Sequence, residues 1–164
     1  MIVSPWFALR VRPRRERIAA VGLARQGFEV YVPVQRVRRR WSDRIKELEE
    51  VLFSHYVFCR IAREDRLRVL NSAYVEEIVG FAKTDVVVPD EEIEAIRSLI
   101  ASHCGFAPWP YLKAGQRVRI TEGALEGIEG TLVRDATGVR VVISVNALER
   151  SIAIQLDREA VRAA

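Results

Sequence analysis

Cysteine and histidine are scarce in this chain, with two of each in 164 residues, at Cys59, Cys104, His55 and His103. Two cysteines cannot build a disulfide framework, so the expectation is a pair of free, buried thiols in a reducing compartment. His55 and Cys59 sit four residues apart, about 13 Å along an extended strand and too far to share a metal. His103 and Cys104 are neighbours and point apart on a helix. No phosphate-cradling glycine loop, no G-x-S-x-G and no H-E-x-x-H occurs. A protein without covalent chemistry, cofactor or metal is expected, with an enzyme as the rival class. Long apolar runs are also missing; none approaches the ~20 residues of a membrane helix. The opening MIVSPWFALRVRPRRER meets basic residues after a short apolar run, the reverse of a secretory leader, so a cytoplasmic chain away from membranes is expected. No long internal repeat and no low-complexity segment is visible.

What the chain does have is charge, unevenly placed. Residues 10–46 hold 12 Lys/Arg and 3 acids, residues 47–104 hold 6 and 12, and residues 105–164 hold 8 and 7. The first third therefore suits a polyanion and the middle third does not. Ordinary solvated charge is the alternative.

Periodicity predicts the elements. Trp6 to Val11 has strand composition and Pro13 ends it. Arg14 to Gln26 is predicted as a helix with Ile18, Val21 and Ala24 on one stripe and Gly27 at its C-terminal cap. FEVYVPVQRV alternates as a strand, and the basic RVRRRWSDRIK forms the tip of a long hairpin that returns through VLFSHYVFCRI. A second helix near Arg63 to Ser72 offers Leu67 and Leu70 to the core, and VEEIVGF is the next strand. Asp90 is expected to cap a third helix carrying Ile93, Ile96 and Ile100 inward, with Glu91, Glu92 and Glu94 in its positive first turn. Strand–helix–strand–strand–helix–strand is the split βαβ order. GFAPWPYLK, with one glycine and two prolines, is predicted as a short stiff linker. Beyond it, residues 114–162 carry only strand and turn signals and predict a small five-stranded barrel.

WFALRVRPRRE, LFSHYVFCRI and GQRVRITEGALEGIEGTLV, in this order, resemble the NusG family of bacterial transcription elongation factors, over nearly the whole chain. QRVRRRWSDRIKELEEVLF looks like the specialised RfaH/UpxY-type paralogues, which act as antiterminators for long polysaccharide operons. The resemblance implies an α+β chain: a ferredoxin-like N-terminal (NGN) domain over 1–104, a linker over 105–113 and a small SH3-like β-barrel with the KOW motif over 114–164.

The resemblance also implies partners. The family's N-terminal domain grips the clamp helices of RNA polymerase through an aromatic-lined depression. That carries over to Phe53, Tyr56 and Phe58, with Trp6 and Phe81 on neighbouring strands. Tyr56 and Phe58 share one strand face, and the alternative is that this face is core. Here Ser54-His55 stands where the family usually has Pro-Gly or Pro-Asn. The basic hairpin, with Arg36, Arg38, Arg39, Arg40, Trp41, Arg44 and Lys46, would face upstream or non-template DNA, joined by Arg12, Arg14 and Arg15. Arg suits phosphate by its planar fork, and Trp41 either stacks on an unpaired base or only packs. The barrel loop Glu122, Ala124, Leu125, Glu126 and Ile128 would reach a ribosomal small-subunit protein or Rho. Leu125, where housekeeping members carry Phe, and Ile128 are either contacts or barrel core. A monomeric, operon-specific factor is expected, against a general housekeeping factor or a KOW-containing translation protein on ribosomal RNA.

Overall fold

The computed structural model describes residues 3–164. The chain forms two compact units, Met1–Val87 and Val88–Ala164.

The first unit runs β1 (Trp6–Val11), α1 (Glu16–Arg25), β2 (Val30–Tyr31), β3 (Val34–Trp41), β4 (Arg44–Val51), β5 (Tyr56–Arg60), α2 (Arg66–Leu70), β6 (Val75–Ile78), β7 (Gly80–Phe81) and β8 (Thr84–Asp85). β9 (Val87–Val88) follows at the division. The main sheet is ordered β2-β5-β1-β6, antiparallel at each of these pairs. β3–β4 and β7–β8 are separate two-stranded hairpins. One face of the main sheet presents Leu9, Val11, Val57 and Cys59 to Ala19, Ala20 and Leu23 of α1 and to Val69 of α2.

This corrects the predicted stripe of α1. Ile18 and Val21 are 49% and 50% exposed, and Glu16, Ala19, Ala20 and Leu23 face inward instead. The alanines permit close approach to the sheet where β-branched residues would hold the helix off. The predicted cap is present: Gly27 has φ 95°, and its N–H and that of Phe28 donate to the carbonyls of Ala24 and Leu23, a Schellman arrangement. α2 is one short turn, burying Val69 while Leu67 stays in water. VEEIVGF is not one strand either, since it breaks between β6 and β7.

The second unit contains α3 (Asp90–Ala101), β10 (Ala107–Trp109), β11 (Arg117–Ile120), β12 (Glu129–Asp135), β13 (Gly138–Val145), β14 (Arg150–Leu156) and β15 (Val161–Ala163). Its antiparallel sheet is ordered β10-β14-β13-β12-β11-β15, six strands where five were expected. α3 buries Ile93, Ile96 and Leu99 rather than Ile100, and Asp90 lies inside its first turn behind an N-cap at Pro89. α3 lies against β13, and Val141, Val142 and Ile143 in succession are buried.

The extra strand comes from the segment predicted as a linker. Ala107, Pro108 and Trp109 pair with Ala153, Ile152 and Ser151. Proline is tolerated there because β10 is an edge strand, where a missing N–H costs no ladder bond. The segment is further tied down by Ser144 Oγ donating to the Leu112 carbonyl at 2.8 Å, Leu112 N–H to Ser151 Oγ at 3.1 Å, and Tyr111 OH to Asn146 Oδ1 at 2.9 Å.

Candidate functional site

The aromatic strand is entered through a tight turn. His55 has φ 77°, and its N–H donates to Glu16 Oε1 at 2.9 Å while its carbonyl accepts from Val11 N–H at 2.8 Å. Glu16 is thus a buried carboxylate at the start of α1, pinning the turn before β5. Sequence reasoning passed over it as one acid in a basic run. Its signal was a lone acid in the first turn of a helix, where a carboxylate meets the positive dipole end.

Of the expected aromatic contacts, Trp6, Phe53 and Phe58 are buried, Phe58 completely. Phe53 meets Phe58 edge-on at 6.1 Å, and Tyr31 stacks on Phe58 at 6.4 Å. Trp6 lies under the Arg60 guanidinium, 4.7 Å from the ring centre. These rings are covered because both faces of the β1–β5 pair are: Val57 and Cys59 on one, Ala8 and Phe58 on the other. Tyr56 alone in that group is half-buried and retains surface. The register opposes Trp6 to Arg60 and Arg10 to Tyr56, so Trp6 and Tyr56 stand at opposite ends of the strand pair. Phe81 belongs to the β7–β8 hairpin and is 83% exposed. Burial pushes the Cys59 thiol up to about 12, which removes it as a nucleophile.

The basic hairpin has a definite charge order. Arg36 opposes Glu49, Arg38 opposes Glu47, Arg39 opposes Lys46 and Arg40 opposes Ile45. Along the stem the arginines meet acids: Arg36–Glu49 at 4.0 Å, Arg38–Glu47 at 3.6 Å and Arg39–Glu50 at 2.8 Å. Glu49 also takes Arg17 of α1 at 3.2 Å, which ties the stem to the helix. Toward the tip one acid remains, Asp43 in the turn itself. Among the described residues no ion pair engages Arg40, Arg44 or Lys46, and the Lys46 ammonium lies 5.3 Å over the ring of Trp41. Trp41 and Ile45 are 52% and 67% exposed. Arg12, Arg14 and Arg15 are exposed at the β1–α1 turn, with Arg14 at φ 63° and Arg15 5.7 Å over the Tyr74 ring.

In the second unit the β11–β12 loop forms one 3-10 turn at Gly123–Leu125. Leu125 is buried. Glu122, Ala124 and Glu126 are exposed, and Ile128 is half-buried. Glu126 and Ile128 line a cavity of about 770 Å³ with Glu92, Arg117 and Asn146. Glu92 Oε1 accepts from the Asn146 side-chain amide at 3.0 Å, and burial raises its carboxyl pKa.

The family model described as "Transcription termination factor nusG" matches residues 4–97, more than half the chain. The chain belongs to the NusG family. It is similar to the transcription termination/antitermination protein NusG of Lactococcus lactis subsp. lactis, 26% identical over 150 residues, covering 87% of this chain and 78% of that protein. Its fold is similar to that of a solved structure of Thermotoga maritima NusG concerned with domain interaction. There the TM-score is 0.54 at 20% identity, covering 97% of this chain and 96% of that one. NusG-family proteins are transcription factors, and the matched span carries both the β5 aromatics and the β3–β4 hairpin. Among the described residues no helix is long and apolar enough to cross a membrane.

Proposed function

We propose that this NusG-family chain is a transcription elongation and antitermination factor that binds RNA polymerase without covalent chemistry. The observation that carries the reading is the family match over residues 4–97, which spans the strand of Tyr56 and the tip of Arg40, Trp41, Arg44 and Lys46. In this reading residues 1–104, α3 included, are the ferredoxin-like NGN domain and residues 114–164 the SH3-like KOW barrel. Tyr56 meets the clamp helices, and the buried Phe53 and Phe58 serve as core beside it. A core-held strand keeps the contact rigid, and a rigid aromatic contact loses little entropy on binding. The hairpin holds upstream or non-template DNA. A bridge of this kind shifts the clamp toward its closed state only by its preference for that state. Glu122, Ala124, Glu126 and Ile128 reach a ribosomal small-subunit protein or Rho, and the chain works in the cytoplasm as a monomer. QRVRRRWSDRIKELEEVLF favours a specialised, operon-specific role over a housekeeping one.

Single-round transcription by purified RNA polymerase over a template with a pause and a terminator tests this. The chain is expected to change pause dwell or readthrough at saturating concentration. Identical profiles with and without it would contradict the proposal.

A further inference from the structure

Among the described residues Glu16 is the one charged residue that is buried, at 6% exposed. Burying a carboxylate is unfavourable unless its oxygens find donors. Glu16 is the first residue of α1, yet its Oε1 reaches away from the helix to the backbone N–H of His55 at 2.9 Å. The turn it meets is Phe53–Tyr56, closed by the Tyr56 N–H on the Phe53 carbonyl at 3.2 Å. His55 is the third residue of that turn and has φ 77°, a conformation that Gly or Asn takes readily at this position and a residue with a β-carbon takes under strain. Two bonds hold it there. Its carbonyl accepts from Val11 N–H at 2.8 Å, a main-chain bond independent of side-chain identity, whereas its N–H depends on the Glu16 carboxylate. Tyr56 is the next residue, half-buried and opposite Arg10 of β1. The rotamers open to a ring depend on its backbone, and the backbone entering Tyr56 depends on the φ of His55.

We infer that Glu16 is a positioning residue for the polymerase contact: its carboxylate locks His55 in the left-handed conformation and so fixes the direction in which Tyr56 leaves the strand. Glu16 is too buried to be a contact itself and acts through His55. Affinity then scales with the fraction of molecules in which the lock is closed, because a chain in which His55 relaxes to negative φ must first return to the competent turn. This inference rests on the proposed function, to which it adds a determinant that lies on α1 and outside the aromatic strand.

The test is the affinity of the full chain for purified RNA polymerase, read well below each variant's melting temperature, beside the hydrogen-exchange rate of the His55 amide in the free chain. Glu16→Met keeps volume and helix propensity while removing the acceptor. It should speed exchange at His55 and weaken binding about tenfold, the order of one hydrogen bond to a charged group. Glu16→Gln keeps an acceptor at the same reach and should recover most of the loss. His55→Gly takes the same φ without strain, so in that background Glu16→Met should cost less than twofold. In the Tyr56→Ala background it should also cost less than twofold, since the lock acts through that ring. A Glu16→Met chain that binds within twofold of wild type would overturn the inference, whatever its melting temperature, and leave the Tyr56 contact standing. Unchanged exchange at His55, or an equal loss of affinity in the wild-type and His55→Gly backgrounds, would overturn it too. A wild-type chain that fails to bind polymerase would sink both readings.

Discussion

Charge placement in the β3–β4 hairpin predicts that its tip and stem behave differently toward nucleic acid. The perturbation is a pair of triple variants: Arg40→Gln, Arg44→Gln and Lys46→Gln at the tip, against Arg36→Gln, Arg38→Gln and Arg39→Gln on the stem. Each phosphate contact contributes about 0.7–0.9 to the slope of log affinity against log salt. Three tip contacts therefore amount to a slope of about 2–2.7, or roughly 20- to 40-fold in affinity between 50 and 200 mM salt. The stem arginines already face Glu49, Glu47 and Glu50 at 4.0, 3.6 and 2.8 Å. Their phosphate contribution is pre-empted, and their loss should move the slope by less than one contact's share. Such exposed pairs contribute about 0–1 kcal/mol each to stability, so both variants should melt near wild type. Fluorescence anisotropy with labelled single-stranded and duplex oligonucleotides over a salt series gives both slopes. A stem variant that flattens the slope as much as the tip variant would refute the reasoning, as would a tip variant that leaves it unchanged.

Phe58→Ala should cost about 3–5 kcal/mol through lost burial and a cavity, a fall of roughly 12–40 °C in melting temperature for a unit of this size. Tyr56→Ala should instead lower polymerase affinity about tenfold or more with a much smaller thermal shift, and calorimetry beside a binding assay separates the two. Residues 105–113 should resist limited proteolysis, because their backbone is paired to β14 and bonded to Ser144 and Ser151; mass spectrometry of early fragments showing first cleavage there would contradict this. Asp135 has its carboxyl pKa lowered to about 2 by Thr137 and Arg140, below the unfolded value of about 3.9. Its contribution is then complete above about pH 4 and is lost as pH falls through about 2, so melts of Asp135→Asn should show less acid sensitivity over that window.

The order of strands and helices in the first unit was legible because apolar alternation and the Gly27 cap are local signals. The buried face of α1 was not. Ile18 and Val21 are the more hydrophobic choice, yet Ala19, Ala20 and Leu23 face the sheet, because close packing favours small residues that a hydrophobicity pattern undervalues. The run of arginines was readable, but which of them meet acids, Arg36, Arg38 and Arg39 and not Arg40, depends on a register fixed by the turn, in which Trp41 opposes Arg44. A shift of one residue would have put each arginine beside a different partner. The 105–113 segment was misread because proline signals a break in the chain's own pattern and is silent about an edge strand supplied by pairing elsewhere. Among the site residues, Tyr56 keeps surface and Phe58 does not, a distinction between two neighbours of equal parity that only the third dimension makes.

The central claim is that this chain acts by docking Tyr56 on the clamp helices of RNA polymerase. The most direct measurement is its affinity for purified polymerase and for the same enzyme lacking the clamp-helix tip, with Tyr56→Ala in parallel. Loss of binding on deleting the tip, and little further loss from Tyr56→Ala in that background, is the predicted result. Equal affinity for the intact and tip-deleted enzymes would contradict it.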